Sequence, residues 1–200
     1  MTDTGGPDGE GRGAGRRVIE QRGLYAEELE PGAVYAHRPG RTLTEADNVL
    51  FTTLTMNTQA LHLDAVFSAG QPFGRRLVNS MLTLATLVGQ SVGQLTQGTL
   101  VAQLGLTDVA FPHPLFHGDT LTTQTEVTGI RASTSRPGQC VVSLAHTGRN
   151  QHGDVVARAT RTVLLWSSPE VQEAAAQVTA SQEAAADHPP DNAPAQEFPP

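Results

Sequence analysis

The chain contains no lysine, and all thirteen of its basic residues are arginine. Without a lysine amine, Schiff-base chemistry and a lysine nucleophile are excluded, as are the phosphate-binding loops that depend on a lysine. Cysteine is nearly absent as well. The single Cys140 excludes an intrachain disulfide, and its place in an alternating apolar run predicts a small buried side chain in a strand.

The sequence also lacks a long apolar run. Its apolar stretches are interrupted by Thr, Gly and Gln, and they stay well below the ~18 residues that a membrane crossing requires. The first residues are rich in Gly, Asp and Arg, unlike an apolar signal segment. We therefore expect a cytoplasmic protein without a membrane partner. The 200 residues, 38% of them hydrophobic, predict one folded domain with a sizeable core.

The net charge of −7 comes almost wholly from one end of the chain. Residues 167–200 carry six acidic residues and no basic one, whereas residues 23–166 carry ten acidic and nine basic residues. The nearly neutral central segment argues against nucleic acid as a partner, because a phosphate-tracking surface needs clustered positive charge. Low apolar content predicts a disordered tail over residues 1–22 and a flexible acidic tail, with at most a transient helix, over residues 168–200. The folded domain is expected over residues 23–167.

Helical patterns occupy the first half of that domain. Thr44-Glu45-Ala46-Asp47 has the spacing of a capping box, and the apolar residues after it predict a helix over Glu45–Thr55. A second short helix is expected with His62 near its start. The segment from Ser80 to about Gln94 is almost wholly apolar or small, which predicts a helix buried on all sides.

The rest of the domain alternates between apolar and polar residues at a period of two. Before the first helix, Val34–Leu43 reads as one strand, and after the buried helix four longer strands are expected over Leu100–Phe111, Thr120–Arg131, Cys140–Arg149 and Val155–Trp166. Long antiparallel strands that follow one buried helix predict an α+β fold in which the sheet wraps around that helix.

Two neighbouring stretches carry the residues that favour chemistry. In Thr55–Asp64 an amide, Asn57, and an imidazole, His62, lie five residues apart at the end of the predicted helix. Phe73–Leu82 then runs from a Gly-Arg turn directly into the apolar helix, which begins near Ser80. A titratable side chain near a helix N-terminus, where the helix dipole attracts negative charge, is compatible with a catalytic site.

These stretches resemble the hydratase signature of the MaoC-like family, whose (R)-specific enoyl-CoA hydratases carry D-x-N-P-L-H and then a P-I-x-H-G-M turn into the central helix. In a gapless register His62 falls on the motif histidine, Phe73 on the aromatic residue before the turn and Ser80 on the glycine that opens the helix. Phe111–Leu121 is similar to the family's P-V-x-x-G-D-T-L strand entry. The resemblance covers Leu24–Trp166.

Two positions depart from the family pattern. Asn57 stands where the family has its catalytic Asp, and Asn79-Ser80 stands where it usually has His-Gly. The T-x-N-T-x-x-L-H pattern of Thr55–His62 resembles the mesaconyl-CoA hydratase-like branch, which would make Asn57 the mark of a subfamily.

The resemblance implies a single hot-dog fold, in which an antiparallel sheet wraps around a long central helix. It implies a lyase that adds or removes water across the 2,3 double bond of an enoyl- or mesaconyl-type thioester of CoA or of an acyl carrier. It also implies a homodimer, in which edge strands pair across a two-fold axis and a second copy supplies the other wall of the site. No cofactor is implied. His113 and His117 resemble a metal pair only weakly and lack a third ligand, so we predict no metal.

The resemblance also assigns the catalytic roles. His62 is the implied base that takes a proton from water and returns it as an acid, and a hydrogen-bonded structural histidine is the alternative. Asn57 cannot accept a proton at neutral pH, but its carbonyl oxygen and amide can orient water. The backbone N–H of Ser80, with the positive end of the helix behind it, is the implied donor to the thioester oxygen.

Three further residues are expected to bind substrate. Asn79 would bind an acyl carboxylate or cap the central helix, and both roles stay open. Arg75 and Arg76 would reach the phosphates of CoA, although a solvated arginine is the commoner case. Asp64 would cap a helix or orient the imidazole of His62, and capping is the commoner role.

Two other functions remain open. Thioesterases share the fold, but they usually place an acid in the central helix, and this chain has no Asp or Glu between Ser80 and Gln97. A catalytically degenerate acyl-thioester-binding protein would keep the pocket and have lost its acid at Asn57.

Overall fold

The structure, a computed structural model, describes residues 18–186 of the chain, with side chains through residue 183. The parts of the predicted tails over residues 1–17 and 187–200 lie outside these residues. In chain order the elements are a turn of 3-10 helix (Ala26–Glu28), β1 (Val34–Ala36), β2 (Arg41–Thr42), α1 (Glu45–Leu54), α2 (Ala60–Leu63), α3 (Ala65–Ala69), α4 (Ser80–Leu95), β3 (Leu100–Ala110), β4 (Thr120–Ala132), β5 (Gln139–Arg149), β6 (Val155–Trp166) and α5 (Pro169–Ala186).

The strands form one antiparallel sheet in the order β1-β4-β5-β6-β3, with β2 also paired to β4. Helix α4 packs against β4, β5 and β6. The predicted α+β arrangement, an antiparallel sheet around one long helix, is therefore confirmed. Among residues 18–186, β1 and β3 are the edge strands of the sheet.

Helix starts follow the local sequence signals. At α1 the Thr44 hydroxyl accepts a hydrogen bond from the N–H of Asp47 at 3.2 Å, and the Asp47 carboxylate accepts one from the N–H of Thr44 at 2.9 Å. This reciprocal pair is the predicted capping box. The turn before β4 contains Gly118 with a positive φ of 91°, a conformation that glycine adopts without strain.

Two expectations about the elements are wrong. Val34–Leu43 forms two short strands and not one, because Pro39, which lies between them, has no N–H to donate to a sheet ladder. Helix α4 is not buried on all sides. It buries the face that contains Leu87 and Leu95, whereas Ala85, Gly89 and Gly93 are exposed, because the sheet covers only one side of the helix.

The expected flexible tail is also wrong over part of its length, because Pro169–Ala186 forms helix α5. The Gln172 side chain donates to the carbonyl of Ser167 at 2.7 Å, and the N–H of Ser168 donates to the Glu27 carboxylate at 2.9 Å. Low apolar content suggested disorder, but Ala, Glu and Gln are strong helix formers. None of the helices in residues 18–186 is long and apolar enough to cross a membrane.

A polar layer divides the interior into two apolar clusters. Along α4, buried Ser91 lies between Leu87 of the first cluster and Leu95 of the second. Along β6, buried Arg161 separates Ala159 from Val163 in the same way.

Two histidines form a hydrogen-bonded chain within this layer. His37 Nδ1 lies 2.9 Å from the Gln94 side-chain oxygen, and the hydroxyl of Thr125 lies 2.7 Å from both His37 Nε2 and His146 Nδ1. The Gln94 oxygen only accepts, so His37 Nδ1 donates to it. The Thr125 hydroxyl then donates to His37 Nε2 and accepts from His146 Nδ1, an arrangement in which both imidazoles are neutral. Burial lowers the pKa of His146 to about 4, with Arg161 and His37 adding repulsion, and burial also lowers the pKa of His37.

We expect the free energy of unfolding to fall as the pH drops from 6.5, the ordinary histidine pKa, to about 4. The unfolded chain binds a proton at the ordinary pKa of His146, whereas the folded chain resists it. The stability that neutral His146 gives the fold is therefore fully present above pH 6.5. It decreases as the pH falls from 6.5 toward the folded pKa of about 4, by about 3 kcal/mol in total. Urea denaturation at stepped pH measures it. In His146→Gln the fall should be smaller by that amount, and an identical pH dependence in both proteins would contradict the expectation.

Candidate active site

The segment around His62 is built from two very short helices. Helix α2 carries His62, and Asp64 then caps α3, because one oxygen of its carboxylate accepts from the N–H groups of Val66 and Phe67, both at 2.9 Å. The capping role expected for Asp64 is confirmed. The carboxylate of Asp64 is thus engaged with the backbone of α3.

The half-buried His62 side chain points toward the segment that precedes α4. Its Nδ1 lies 3.1 Å from the carbonyl oxygen of Leu77, and the N–H of Leu77 donates to the carbonyl of Leu61 at 3.2 Å. A carbonyl oxygen only accepts, so Nδ1 carries the proton and Nε2 keeps a lone pair. His62 is thereby set up to accept a proton through Nε2.

The N-terminus of α4 lies three residues beyond Leu77. The Asn79 side-chain oxygen accepts from the N–H of Met81 at 2.9 Å, so Asn79 caps this helix. The N–H of Ser80, at the first position of the helix, has no acceptor among the described residues. A free N–H at the positive end of a sixteen-residue helix is suited to binding a negatively charged oxygen.

A buried amide that sequence reasoning missed joins these two parts. The Asn48 side chain donates to the carbonyl of His62 at 3.1 Å and accepts from the N–H of Asn79 at 2.7 Å. The Asn79 amide in turn lies 3.4 Å from the Thr52 hydroxyl. Asn48 and Thr52 are both fully buried and are four residues apart in α1, so they share a face. The four-residue spacing of these two polar residues was the sequence signal that could have identified the buried polar face of α1.

The side chain of Asn57 has one fixed contact. The side-chain oxygen accepts from the backbone N–H of Gln59 at 3.0 Å. Separately, the backbone N–H of Asn57 donates to the carbonyl of Thr52 at 3.0 Å. No hydrogen bond among the described residues joins the Asn57 side chain to His62 or Ser80. An amide oxygen has two lone pairs, so one remains for a further donor.

The two arginines expected to bind substrate are in different situations. Arg76 is half-buried and forms an ion pair with Glu45, with Nη1 to Oε1 at 2.6 Å, and its hydrogen bond holds the pKa of that carboxyl below its usual range. Arg75 is exposed, and its guanidinium lies 3.6 Å from the centre of the Phe116 ring. Burial and the charge of Arg76 lower the pKa of His117 in the same region. Arg76 is thus engaged within the fold, whereas Arg75 faces solvent.

A cavity of about 240 Å³ adjoins the N-terminus of α4. Ser80 and Thr83 line it on the helix side, and the loop between β3 and β4 lines the opposite side. Leu77, whose carbonyl accepts from His62, also lines this cavity. Among the described side chains, no group of three or more His, Cys, Asp and Glu is placed to hold a metal ion.

We expect Asn48→Ala to lower the free energy of unfolding by about 2–4 kcal/mol, because it leaves the partly buried carbonyl of His62 and the buried N–H of Asn79 without partners. Chemical denaturation measures the loss. Thr53→Ala, at an exposed position of the same helix, is the matched control and should change stability by less than ~0.5 kcal/mol. Equal effects of the two substitutions would refute the bridging role of Asn48.

Comparison with known proteins shows the family and the fold of the chain. Residues 27–150 match the family described as the MaoC like domain. The chain is 35% identical to the (R)-specific enoyl-CoA hydratase of Aeromonas caviae over 54% of this chain and 78% of that protein. It is 29% identical to the beta-methylmalyl-CoA dehydratase of Chloroflexus aurantiacus over 72% of this chain, but it spans only 40% of that relative.

A solved structure from Mycobacterium tuberculosis, described as a double hot-dog fold, superposes with a TM-score of 0.66 at 27% identity. The superposition covers 76% of this chain and 46% of that one. The antiparallel sheet around α4 is therefore the expected hot-dog. With the family match over residues 27–150, the conclusion is that this chain belongs to the MaoC-like dehydratase domain family.

Proposed function

We propose that the protein is a hydro-lyase that adds or removes water across the 2,3 double bond of an acyl-CoA thioester. The observation that carries the proposal is the position of His62. Its Nδ1–H donates to the carbonyl of Leu77, and its Nε2 keeps a lone pair. Three residues beyond Leu77, the N–H of Ser80 has no acceptor among the described residues. The names of the relatives in Aeromonas caviae and Chloroflexus aurantiacus support the same reaction class.

The chemistry requires a base on one side of the substrate and an anion-binding group on the other. His62 Nε2 takes a proton from water while the oxygen attacks C3, and the electrons of the double bond move toward the thioester carbonyl. The Ser80 N–H, together with the dipole of α4, stabilises the negative charge that develops on the oxygen of the thioester carbonyl. The imidazolium then returns the proton to C2, so water has been added and His62 is restored.

Asn57 has a positioning role in this scheme. An amide cannot take the proton, so a single imidazole must act as both base and acid. The Asn57 oxygen, already held by the N–H of Gln59, has one lone pair left to accept a hydrogen bond from the attacking water. This arrangement favours the view that Asn57 belongs to an active subfamily.

The carrier end of the substrate would lie near Arg75. Arg75 is exposed and stacked on Phe116, whereas Arg76 is already paired with Glu45. A guanidinium that faces solvent can form bidentate bonds with a phosphate without first breaking an ion pair. We therefore assign phosphate binding to Arg75 and a structural role to Arg76. Asn79, which caps α4 and bonds Thr52, is assigned the capping role.

Replacing the proposed base tests the mechanism. His62→Ala should lower kcat/KM for hydration of crotonyl-CoA by about 10²–10⁴-fold, because it removes the proposed general base and acid. The reaction is followed by loss of enoyl-thioester absorbance. His152→Ala, an exposed histidine in the turn between β5 and β6, is the matched control and should keep wild-type activity.

Unchanged activity in His62→Ala would remove His62 from the mechanism. A wild-type protein that binds crotonyl-CoA and mesaconyl-CoA but hydrates neither would contradict the lyase proposal. It would favour the acyl-thioester-binding alternative.

The proposed enzyme is a homodimer. Strand β3 is an edge of the sheet within the described residues, and Leu104 and Val109 on it are 54% and 40% exposed. An unpaired edge with exposed apolar side chains is stabilised by pairing with another strand. Residues 18–186 form one hot-dog, and a second copy, related by a two-fold axis, would supply the facing unit that the neighbour described as a double hot-dog carries in its own chain.

An acidic residue on this edge tests the assembly. Leu104→Glu should raise the dimer dissociation constant at least about tenfold, because it places a charge in the apolar contact. Light scattering across micromolar concentrations reports the mass. Val34→Glu, an equally exposed valine on the opposite edge strand β1, is the control and should remain dimeric. A stable and fully active wild-type monomer would contradict the dimer and the placement of the site between subunits.

A further inference from the structure

Helix α1 is followed by a residue whose backbone is strained. Met56 comes directly after Thr55, the C-cap of the helix, and has a positive φ of 57°. This left-handed conformation brings the Cβ of an L-residue too close to the following carbonyl oxygen, so glycine is its usual occupant. Among the described residues, Met56 and Asp108 adopt a positive φ without being glycine. The surrounding structure must therefore hold Met56 in this conformation.

Two backbone hydrogen bonds hold it. The N–H of Met56 donates to the carbonyl of Thr53 at 3.1 Å, and the N–H of Asn57 donates to the carbonyl of Thr52 at 3.0 Å. These nested bonds form a Schellman motif, which ends a helix with one residue in the left-handed conformation, here Met56. The position of Asn57 relative to α1 therefore depends on the backbone of Met56.

The side chains at the end of α1 are not those that this motif favours. Glycine is preferred at the left-handed position, and an apolar residue that packs against the helix is common at the next one. This chain has Met56 and Asn57 there, and the Met56 side chain is 87% exposed, so packing among the described residues does little to offset the strain. Such departures concentrate at functional sites, where a defined geometry is kept at a cost in stability. One of the two departures is Asn57, the residue proposed to orient water.

The turn at Met56 also leads to the proposed base. The side-chain oxygen of Asn57 accepts from the N–H of Gln59 at 3.0 Å, and the carbonyl of Gln59 accepts from the N–H of His62 at 3.0 Å. The carbonyl of His62 is held separately by the Asn48 side chain. A rotation of the Met56 backbone would therefore displace Asn57 more than His62, because His62 keeps this second attachment to α1.

We infer that Met56 is a positioning residue, whose left-handed backbone holds Asn57 in the orientation in which its free lone pair accepts a hydrogen bond from the attacking water. The inference rests on the proposed function. The role lies in the backbone of Met56, since the side chain faces solvent. Asparagine tolerates the left-handed conformation and should preserve the role, whereas a β-branched residue strongly resists it.

Substitutions of Met56 test the inference through the hydration of crotonyl-CoA. Met56→Val should lower kcat at least about tenfold and change KM less than about threefold, because the water is displaced whereas the groups that bind the thioester are not. Met56→Asn should keep most of the wild-type kcat, because asparagine adopts the same backbone conformation. Leu54→Val, at an exposed position within α1, is the control for a β-branched residue in this region and should keep wild-type kcat.

Met56→Gly tests the strain itself, without reference to activity. Glycine adopts the left-handed conformation at no steric cost, so this variant should raise the folding equilibrium constant about fivefold. Urea denaturation measures the constant, and the same curves give the folded fraction by which each kcat is corrected. A Met56→Gly protein no more stable than wild type would remove the strain on which the inference depends.

Unchanged kcat in Met56→Val, or an equal loss of kcat in Met56→Val and Met56→Asn, would overturn the positioning role. Hydration of crotonyl-CoA by the wild-type protein would then still support the proposed function. A wild-type protein that hydrates neither crotonyl-CoA nor mesaconyl-CoA would instead refute the proposed function, and the inference with it.

Discussion

The candidate site depends on the buried amide of Asn48. One side of this amide donates to the carbonyl of His62, and the other accepts from the N–H of Asn79, the residue that caps α4. The bond to Asn79 is buried and the bond to His62 is partly buried, so breaking either one leaves a backbone group without its partner. The imidazole and the free end of the helix therefore keep their relative position through a side chain that takes no part in the proposed chemistry.

Leu77 connects the catalytic and binding parts of the site. Its carbonyl oxygen fixes the tautomer of His62, and the residue also lines the cavity beside α4. The proposed base and the cavity thus depend on the same short segment that leads into α4. A shift of this segment would disturb both, because the same residue orients the base and shapes the wall.

The interior of the fold is held by polar contacts as well as by apolar packing. The chain from Gln94 through His37 and Thr125 to His146 crosses from α4 to the middle of the sheet. With both imidazoles neutral, His37 donates to Gln94, Thr125 donates to His37 and His146 donates to Thr125, so each bond has one donor and one acceptor. The network therefore fixes how the helix sits on the sheet, and it makes the fold sensitive to acid.

The local signals in the sequence were sufficient for much of this protein. The capping box at Thr44, the long apolar helix from Ser80 and the period-two strands determined the α+β fold, and the motif spacing of Asn57 and His62 located the candidate site. These features are local, since capping and periodicity depend on residues a few positions apart.

Tertiary structure decided the remainder. Three features depend on residues brought together from distant parts of the chain. They are the exposed face of α4, the ion pair of Arg76 with Glu45 that leaves Arg75 facing solvent, and the bridge that Asn48 forms between His62 and Asn79. The polar layer is of the same kind, because His37 and His146 meet at Thr125 only when the strands have paired. Composition and periodicity assign a residue to the interior, but the partner that satisfies its polar atoms is set by register and packing.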